Sequence, residues 1–307
     1  MGARRWVVGL GIAYATVWGL GSFGYSKLAT SVLIDLTANG QVTNYDGPHW
    51  MMNPLRVGSD AADLAFRQGG SIENIQISTP LLAPNHVRAK IDGAVSFGGI
   101  TQIADELWID VGFRYNPNAE IASVSGVIEN AVVSGTFEGA IGSLTVDMQA
   151  ADLPTYTLSV SGTKIQLPAQ MINDPILRNV DLIDFDGQVT FDRVMSVTDQ
   201  APNPLQSIEF APLQMNWGEL DVTVNGDLAI DAFGIPTGRL DLSASGWQML
   251  VQLMADAGVI DRGTVFGYSA MIGGLADENG RVNLPLIFAD GQIKLGPFPL
   301  GPAPRLR

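Results

Sequence analysis

The distribution of apolar positions changes its period along the chain. Residues Trp6–Ser26, WVVGLGIAYATVWGLGSFGYS, are 21 consecutive positions without a charge. At a rise of about 1.5 Å per residue they can cross a hydrocarbon core of about 30 Å as a helix. Leu28, Val32, Leu33 and Leu36 continue at helical spacing, and Asn39-Gly40 supplies a stop, so an amphipathic helix is predicted to run on from the first segment and end near Ala38. From about Ile72 the period falls to two. Apolar positions alternate at Val87, Ala89, Ile91, Val95 and Phe97; at Leu107, Ile109, Val111 and Phe113; at Leu144, Val146 and Met148; and at Tyr156, Leu158 and Val160. They do so again at Leu220, Val222, Val224, Leu228 and Ile230, and at Leu240, Leu242 and Ala244. The intervening positions are mostly Ser, Thr, Asp and Asn, the pattern of antiparallel strands with one dry and one wet face. A parallel sheet between helices would instead show continuous apolar strands, each followed by a helix.

Two helical stripes interrupt the strands late in the chain. Trp247, Leu250, Val251 and Met254 follow a Ser245 cap and stop at Gly258; Val265, Tyr268, Ser269, Ile272 and Leu275 follow Asp261 and stop at Gly273-Gly274. They predict a helical hairpin at about 245–276, laid on the sheet. Asn39-Gly40, Asp186-Gly187 and Asp290-Gly291 each precede a Gln and a β-branched residue and read as turns feeding strands. Their irregular spacing is not that of a solenoid. The fold class expected is mainly β (α+β): an N-terminal transmembrane helix, then a large curved antiparallel sheet or β-sandwich-like body carrying the late helical hairpin. The expected divisions are a stub over 1–5, the anchor over 6–26, a juxtamembrane helix over 27–40 and a β-rich domain over 41–307.

Charge orients this arrangement. Arg4 and Arg5 precede the apolar run and Lys27 follows it, which favours a cytoplasmic N-terminus and an exported bulk; Trp6, Trp18 and Tyr25 are amphipathic aromatics, with Trp6 and Tyr25 at the two membrane interfaces. A cleaved signal peptide would need a shorter apolar core of about 7–15 residues. Gly11, Ala15 and Gly19 give the helix a small-residue face, which fits a helix–helix contact or the ordinary abundance of glycine in such segments. The 307-residue chain carries a formal charge of −14, and the part beyond Lys27 holds 14 basic against 31 acidic residues, or −17. A body this acidic excludes a nucleic-acid partner and is repelled by an anionic leaflet, leaving the helix to hold it at the membrane. With no cysteine, disulfides and thiolate chemistry are excluded.

The inventory for catalysis is thin. His49 and His86 lie beside prolines in segments that read as loops, and neither has a second His or a Cys nearby to complete a metal site. Ser269 in GYSAM lacks the second glycine of a nucleophile elbow and sits in a helical pattern. Asp181, Asp184, Asp186 and Gly187 resemble part of a calcium loop, but the register places Leu182 at the first ligand position and Arg193 where a bidentate Glu is required. No catalytic, metal or cofactor-binding residue is therefore nominated, and no cofactor is expected.

The C-terminal stretch is the most distinctive: Leu284-Pro285, Asp290-Gly291, then Leu295-Gly296-Pro297-Phe298-Pro299-Leu300-Gly301-Pro302-Ala303-Pro304. It resembles the closing motif of a bacterial envelope family catalogued as domain of unknown function 2125. The order of membrane helix, amphipathic helix, strand-rich body and late helical pair is similar too. Where that family shows a Gly-Phe-Pro phrase early in the body, this chain has Asp46-Gly47-Pro48-His49-Trp50. The resemblance implies a single-pass bacterial inner-membrane protein with its bulk in the periplasm, and it brings no activity or site residues. Three roles follow. One is a non-enzymatic protein holding a lipid or other apolar ligand on its dry face, although the same pattern fits a closed core. A second is a scaffold or assembly factor that binds another envelope protein, with Pro297–Pro304 offered as an extended peptide. The third, an envelope hydrolase, has no residue to nominate.

Overall fold

The structure is a computed structural model that describes residues 27, 30–31, 33–51, 53, 55–170, 172, 176–196, 203–256, 261–296 and 298–306. The described chain divides into two compact units, Met1–Phe113 with Gly126–Thr136, and Arg114–Ser125 with Phe137–Arg307. It is mainly β, and every strand pairing described is antiparallel, as the period of two requires.

In the N-terminal unit β1 (Val42–Trp50), β2 (Arg56–Phe66), β3 (Gly70–Pro80) and β4 (His86–Phe97) pair in succession. β4 pairs also with β5 (Ile100–Ala104) and β6 (Glu106–Phe113), and β5 with the later part of β7 (Ile121–Gly135). Residues 33–38 are helical and end as expected: Gly40 N–H donates to Thr37 O at 2.9 Å and Gln41 N–H to Leu36 O at 2.8 Å, a Schellman close. Leu33 packs with Ala61 and Leu64, so this helix is tied to the sheet.

Three expectations are corrected here. Strands begin at Val42, well before Ile72. β1 pairs only with β2 among the described residues and does so through three register shifts, while β2 carries Gly58, Ser59, Asp60 and Asp63, so neither shows a clean apolar alternation. His49 and His86 consequently lie in strands, not loops: His49 pairs with Asp60, and His86 opens β4 opposite Gly112. Finally, Val87–Phe97 does not keep one register, because β4 supplies one residue more than β3 around Gly93. Ile91 pairs with Ile75, but Val95 pairs with Ile72.

The C-terminal unit runs β8 (Gly139–Ala150), β9 (Thr155–Gln166), β10 (Asn179–Phe191), β11 (Leu205–Trp217), β12 (Leu220–Ile230), β13 (Pro236–Ser245), β14 (Val282–Ala289), β15 (Gln292–Leu295) and β16 (Phe298–Pro302). Each is bonded to the next. Helices Trp247–Asp256 and Val265–Gly273 stand between β13 and β14, where the apolar stripes place them. Leu275 falls beyond the second helix and is exposed. Asp290 and Gly291 form the two-residue turn between Ala289 and its partner Gln292, with φ of +53° and +69°, the type I′ geometry that suits Asp-Gly. Asp186-Gly187, in contrast, is not a turn but lies within β10. Gly187 faces Phe210 beside a bulge in β11, where a Cβ would sit 2.0 Å from the Glu209 carbonyl oxygen and 2.7 Å from the Phe185 ring. Glycine is required there by close approach.

Among the described residues no helix is long and apolar enough to cross a membrane. The anchor segment, with Arg4, Arg5, Trp6, Trp18 and Tyr25, lies outside the described residues. Lys27 is described, helical and exposed.

Candidate functional site

Residues directly opposite one another in an antiparallel pair point to the same face, so the register of the C-terminal unit can be read as rows. One row runs Val146, Val160, Phe185, Leu213, Val224, Leu242 and Leu284 from β8 to β14. Its neighbour runs Met148, Leu158, Gly187, Phe210, Gly226, Leu240, Leu286 and Leu295. The face is thus apolar across eight strands, while Thr157, Ser159, Asp186 and Gln188 occupy the other side of β9 and β10. Ser159 Oγ donates to Asp186 Oδ1 at 2.5 Å there.

Cover on the apolar face is uneven. Over β12–β14 the Trp247 helix contributes Trp247, Val251 and Ala255, the second helix contributes Ile272, and together with Leu220, Val222, Val224, Leu240, Ala244 and Val282 they form the main buried cluster. Val146, Met148, Leu158, Val160 and Phe185 stand outside that cluster and are only half-buried, although they continue the same rows. Phe185 meets Phe210 edge-on at 5.4 Å. Among the described residues, an apolar strip over β8–β10, about 10 Å wide at the usual strand spacing, thus lies beyond the main buried cluster and is half-buried.

The N-terminal unit has a comparable row on one face: Trp50, Ser59, Ile77, Ala89 and Ile109 are opposite one another across β1, β2, β3, β4 and β6. Trp50 is 48% exposed, Ile77 38% and Ile109 46%. The residues one step along each strand, Gly58, Ser78, Arg88 and Asp110, form a polar row on the opposite face. Arg88 Nε donates to Asp110 Oδ2 at 3.2 Å, the other carboxylate oxygen bonds His86 Nδ1 at 2.7 Å, and Arg56 Nε donates to Ser78 Oγ at 2.9 Å. Burial, and then the nearby Arg88 charge, hold the Arg56 guanidinium below its ordinary range, with Asp110 opposing.

Of the residues considered for chemistry, His86 joins Asp110 and Arg88 in this cluster. His49 faces Asp46 at 3.5 Å with both side chains well exposed. Asp181 accepts the Gly218 N–H and Asp186 the Ser159 hydroxyl, so two of the three aspartates that resembled a calcium loop bond groups of their own unit. Among the described residues no three His, Cys, Asp or Glu side chains gather as metal ligands. In the C-terminal motif Leu295 is buried, Gly296 N–H donates to Pro285 O, and Pro299, Gly301 and Pro302 lie in β16 against β15. Gly301 adopts φ +122°, Pro304 follows the strand, and Pro297 lies outside the described residues. Ala303 N–H donates to Gly291 O and Leu306 N–H to Gly234 O, so the extended tail is engaged by its own unit.

The His86, Arg88 and Asp110 cluster is the element sequence reading missed. His86-x-Arg88 and Trp108-x-Asp110 are spaced for one face of two strands, but only the register brings those strands together.

The family model described as "uncharacterized protein conserved in bacteria (DUF2125)" matches residues 53–304. No curated protein and no solved structure matches the chain.

Proposed function

The chain belongs to the DUF2125 family, and we propose that it is a non-enzymatic protein of the bacterial cell envelope that holds the acyl portion of a lipid against its open apolar sheet face. In this reading Trp6–Ser26 is a single inner-membrane anchor, residues 1–5 are cytoplasmic, 27–40 form the juxtamembrane helix and 41–307 are the periplasmic body. The observation that carries the proposal is the continuation of the apolar rows past the helices that cover them. Val146, Val160 and Phe185 repeat in register what Val224, Leu242 and Leu284 do, yet no side chains of the main cluster close over them.

Apolar surface left outside a packed core is a place where a binding partner can sit. A lipid is the occupant the rest of the chain favours. The anchor keeps the body beside a bilayer, and its helical continuation packs on the sheet through Leu33.

A photoreactive benzoylphenylalanine tests this directly. Placed at Val160 in the full-length protein and activated in bacterial membranes, it is expected to capture a phospholipid. The same group at Thr157, which points to the polar face of the same strand, should capture none. Absence of a lipid adduct at Val160, or equal labelling at both positions, would count against the proposal.

A further inference from the structure

The polar face of the N-terminal unit presents chemistry that an apolar-ligand role does not use. One carboxylate, Asp110, is only 7% exposed and divides its oxygens between two bases. Oδ1 bonds His86 Nδ1 at 2.7 Å and Oδ2 accepts from Arg88 Nε at 3.2 Å. Both bases reach outward from it, with side chains 35% exposed. The Arg88 guanidinium lies 4.1 Å above the Trp108 ring, which fixes its plane. Among the described residues no hydrogen bond is made by His86 Nε2 or by the two terminal nitrogens of Arg88. These groups are the ends of side chains two residues apart on one strand face, about 7 Å between Cα atoms.

Two arginines, Arg56 and Arg88, gather at Asp110 in a body whose net charge is −17, and beside them Glu106 accepts the Trp108 Nε1–H at 2.7 Å. A buried carboxylate that holds an imidazole by one nitrogen and a guanidinium by Nε leaves the other imidazole nitrogen and the guanidinium fork without a hydrogen-bond partner among the described residues, and charge-assisted donors of this kind suit an oxyanion. The fork donates two parallel hydrogen bonds to one edge of a tetrahedral oxyanion. The imidazole nitrogen, offset along the strand, meets a third oxygen, either accepting its proton or, as imidazolium, donating to it.

We propose that His86 and Arg88, oriented by Asp110 and Trp108, form a binding site for a phosphate group, carried by a lipid headgroup or by a free phosphate. The site lies on the opposite face of the sheet from the Trp50–Ile109 apolar row and does not depend on acyl binding.

The test uses the full-length protein in mild non-ionic detergent at low salt. Isothermal titration with inorganic phosphate forms one arm. Co-sedimentation of the protein, reconstituted in phosphatidylcholine, with added phosphatidylcholine vesicles lacking or containing phosphatidic acid forms the other. Saturable binding is expected in at least one arm. Phosphate alone identifies a free anion, and a gain that depends on phosphatidic acid identifies a headgroup. Arg88→Gln and His86→Gln should each weaken binding by about tenfold or more, the loss expected for one charge-assisted contact. Arg88→Lys keeps the charge but not the fork and should also weaken it; this variant decides the matter if Arg88→Gln does not fold. Absence of binding in both arms overturns the proposal, as does affinity unchanged in Arg88→Lys and His86→Gln.

Discussion

Replacing Trp247 by alanine is expected to lower the unfolding free energy of the C-terminal unit by about 3–5 kcal/mol, the range for removing a large aromatic from a packed core. Trp247 is 7% exposed and opens the helix whose Val251 and Ala255 are buried on the sheet. Its ring also lies 3.3 Å from where a Cβ on Gly273 would be, so the indole fills the space at the end of the second helix. Removing it loosens both parts of the cover at once. Urea unfolding, with hydrogen exchange read on peptides from β12 and β13, measures the effect. Faster exchange should appear there and not in the N-terminal unit, and Trp247→Phe should recover part of the loss. An unchanged midpoint in Trp247→Ala would show that the helices do not close this face.

Tyr156 should be nearly as sensitive, for a different reason. It is fully buried, meets Phe191 edge-on at 5.9 Å, and its hydroxyl ties two segments together: it donates to Ile121 O and accepts the Met195 N–H, both at 3.2 Å. Tyr156→Ala is expected to cost about 3–5 kcal/mol. Tyr156→Phe keeps the ring and leaves two backbone groups without their partner, which costs about 1–3 kcal/mol. The phenol adds a pH signature. Burial pushes its ionisation above the ordinary tyrosine value of 10.0, with the Met195 hydrogen bond partly opposing. The unfolded chain therefore loses this proton first. The contribution is fully present below pH 10 and declines as pH rises through the folded-state value. Equilibrium unfolding on the alkaline side should show wild type losing stability faster than Tyr156→Phe. Parallel pH curves would contradict the buried hydroxyl.

The regular part of this architecture was legible in the sequence because its strands have one dry face. Leu220, Val222 and Val224 alternate since β12 is buried on that side alone, and the Trp247 stripe repeats at helical spacing since one side of its helix packs on the sheet. The hidden parts have physical causes as well. β1 and β2 take up their irregularity in register shifts, around which side chains no longer alternate. Gly187 carries the outward sign of a turn, but close approach of the Glu209 carbonyl is what demands a glycine. Gly93 inserts a bulge that no pattern of apolar residues announces.

The polar cluster was illegible for another reason. Asp110 sits at a position whose parity calls for a polar residue, so nothing marked it as buried, and its partners lie 22 and 24 residues away in sequence. The extent of the cover on the apolar face also depends on where the two helices settle. Alternation at Leu144, Val146 and Met148 is the same signal as at Leu220, Val222 and Val224, although the second set lies in the main buried cluster and the first is half-buried outside it.

Native mass spectrometry of the full-length protein released from bacterial membranes in mild detergent distinguishes a lipid-holding sheet from an empty one. A population carrying the added mass of bound lipid is expected, diminished by Val160→Glu on the apolar strip and retained in Thr157→Glu on the opposite face. Bare polypeptide alone in the wild type, or identical lipid retention in both variants, would contradict it.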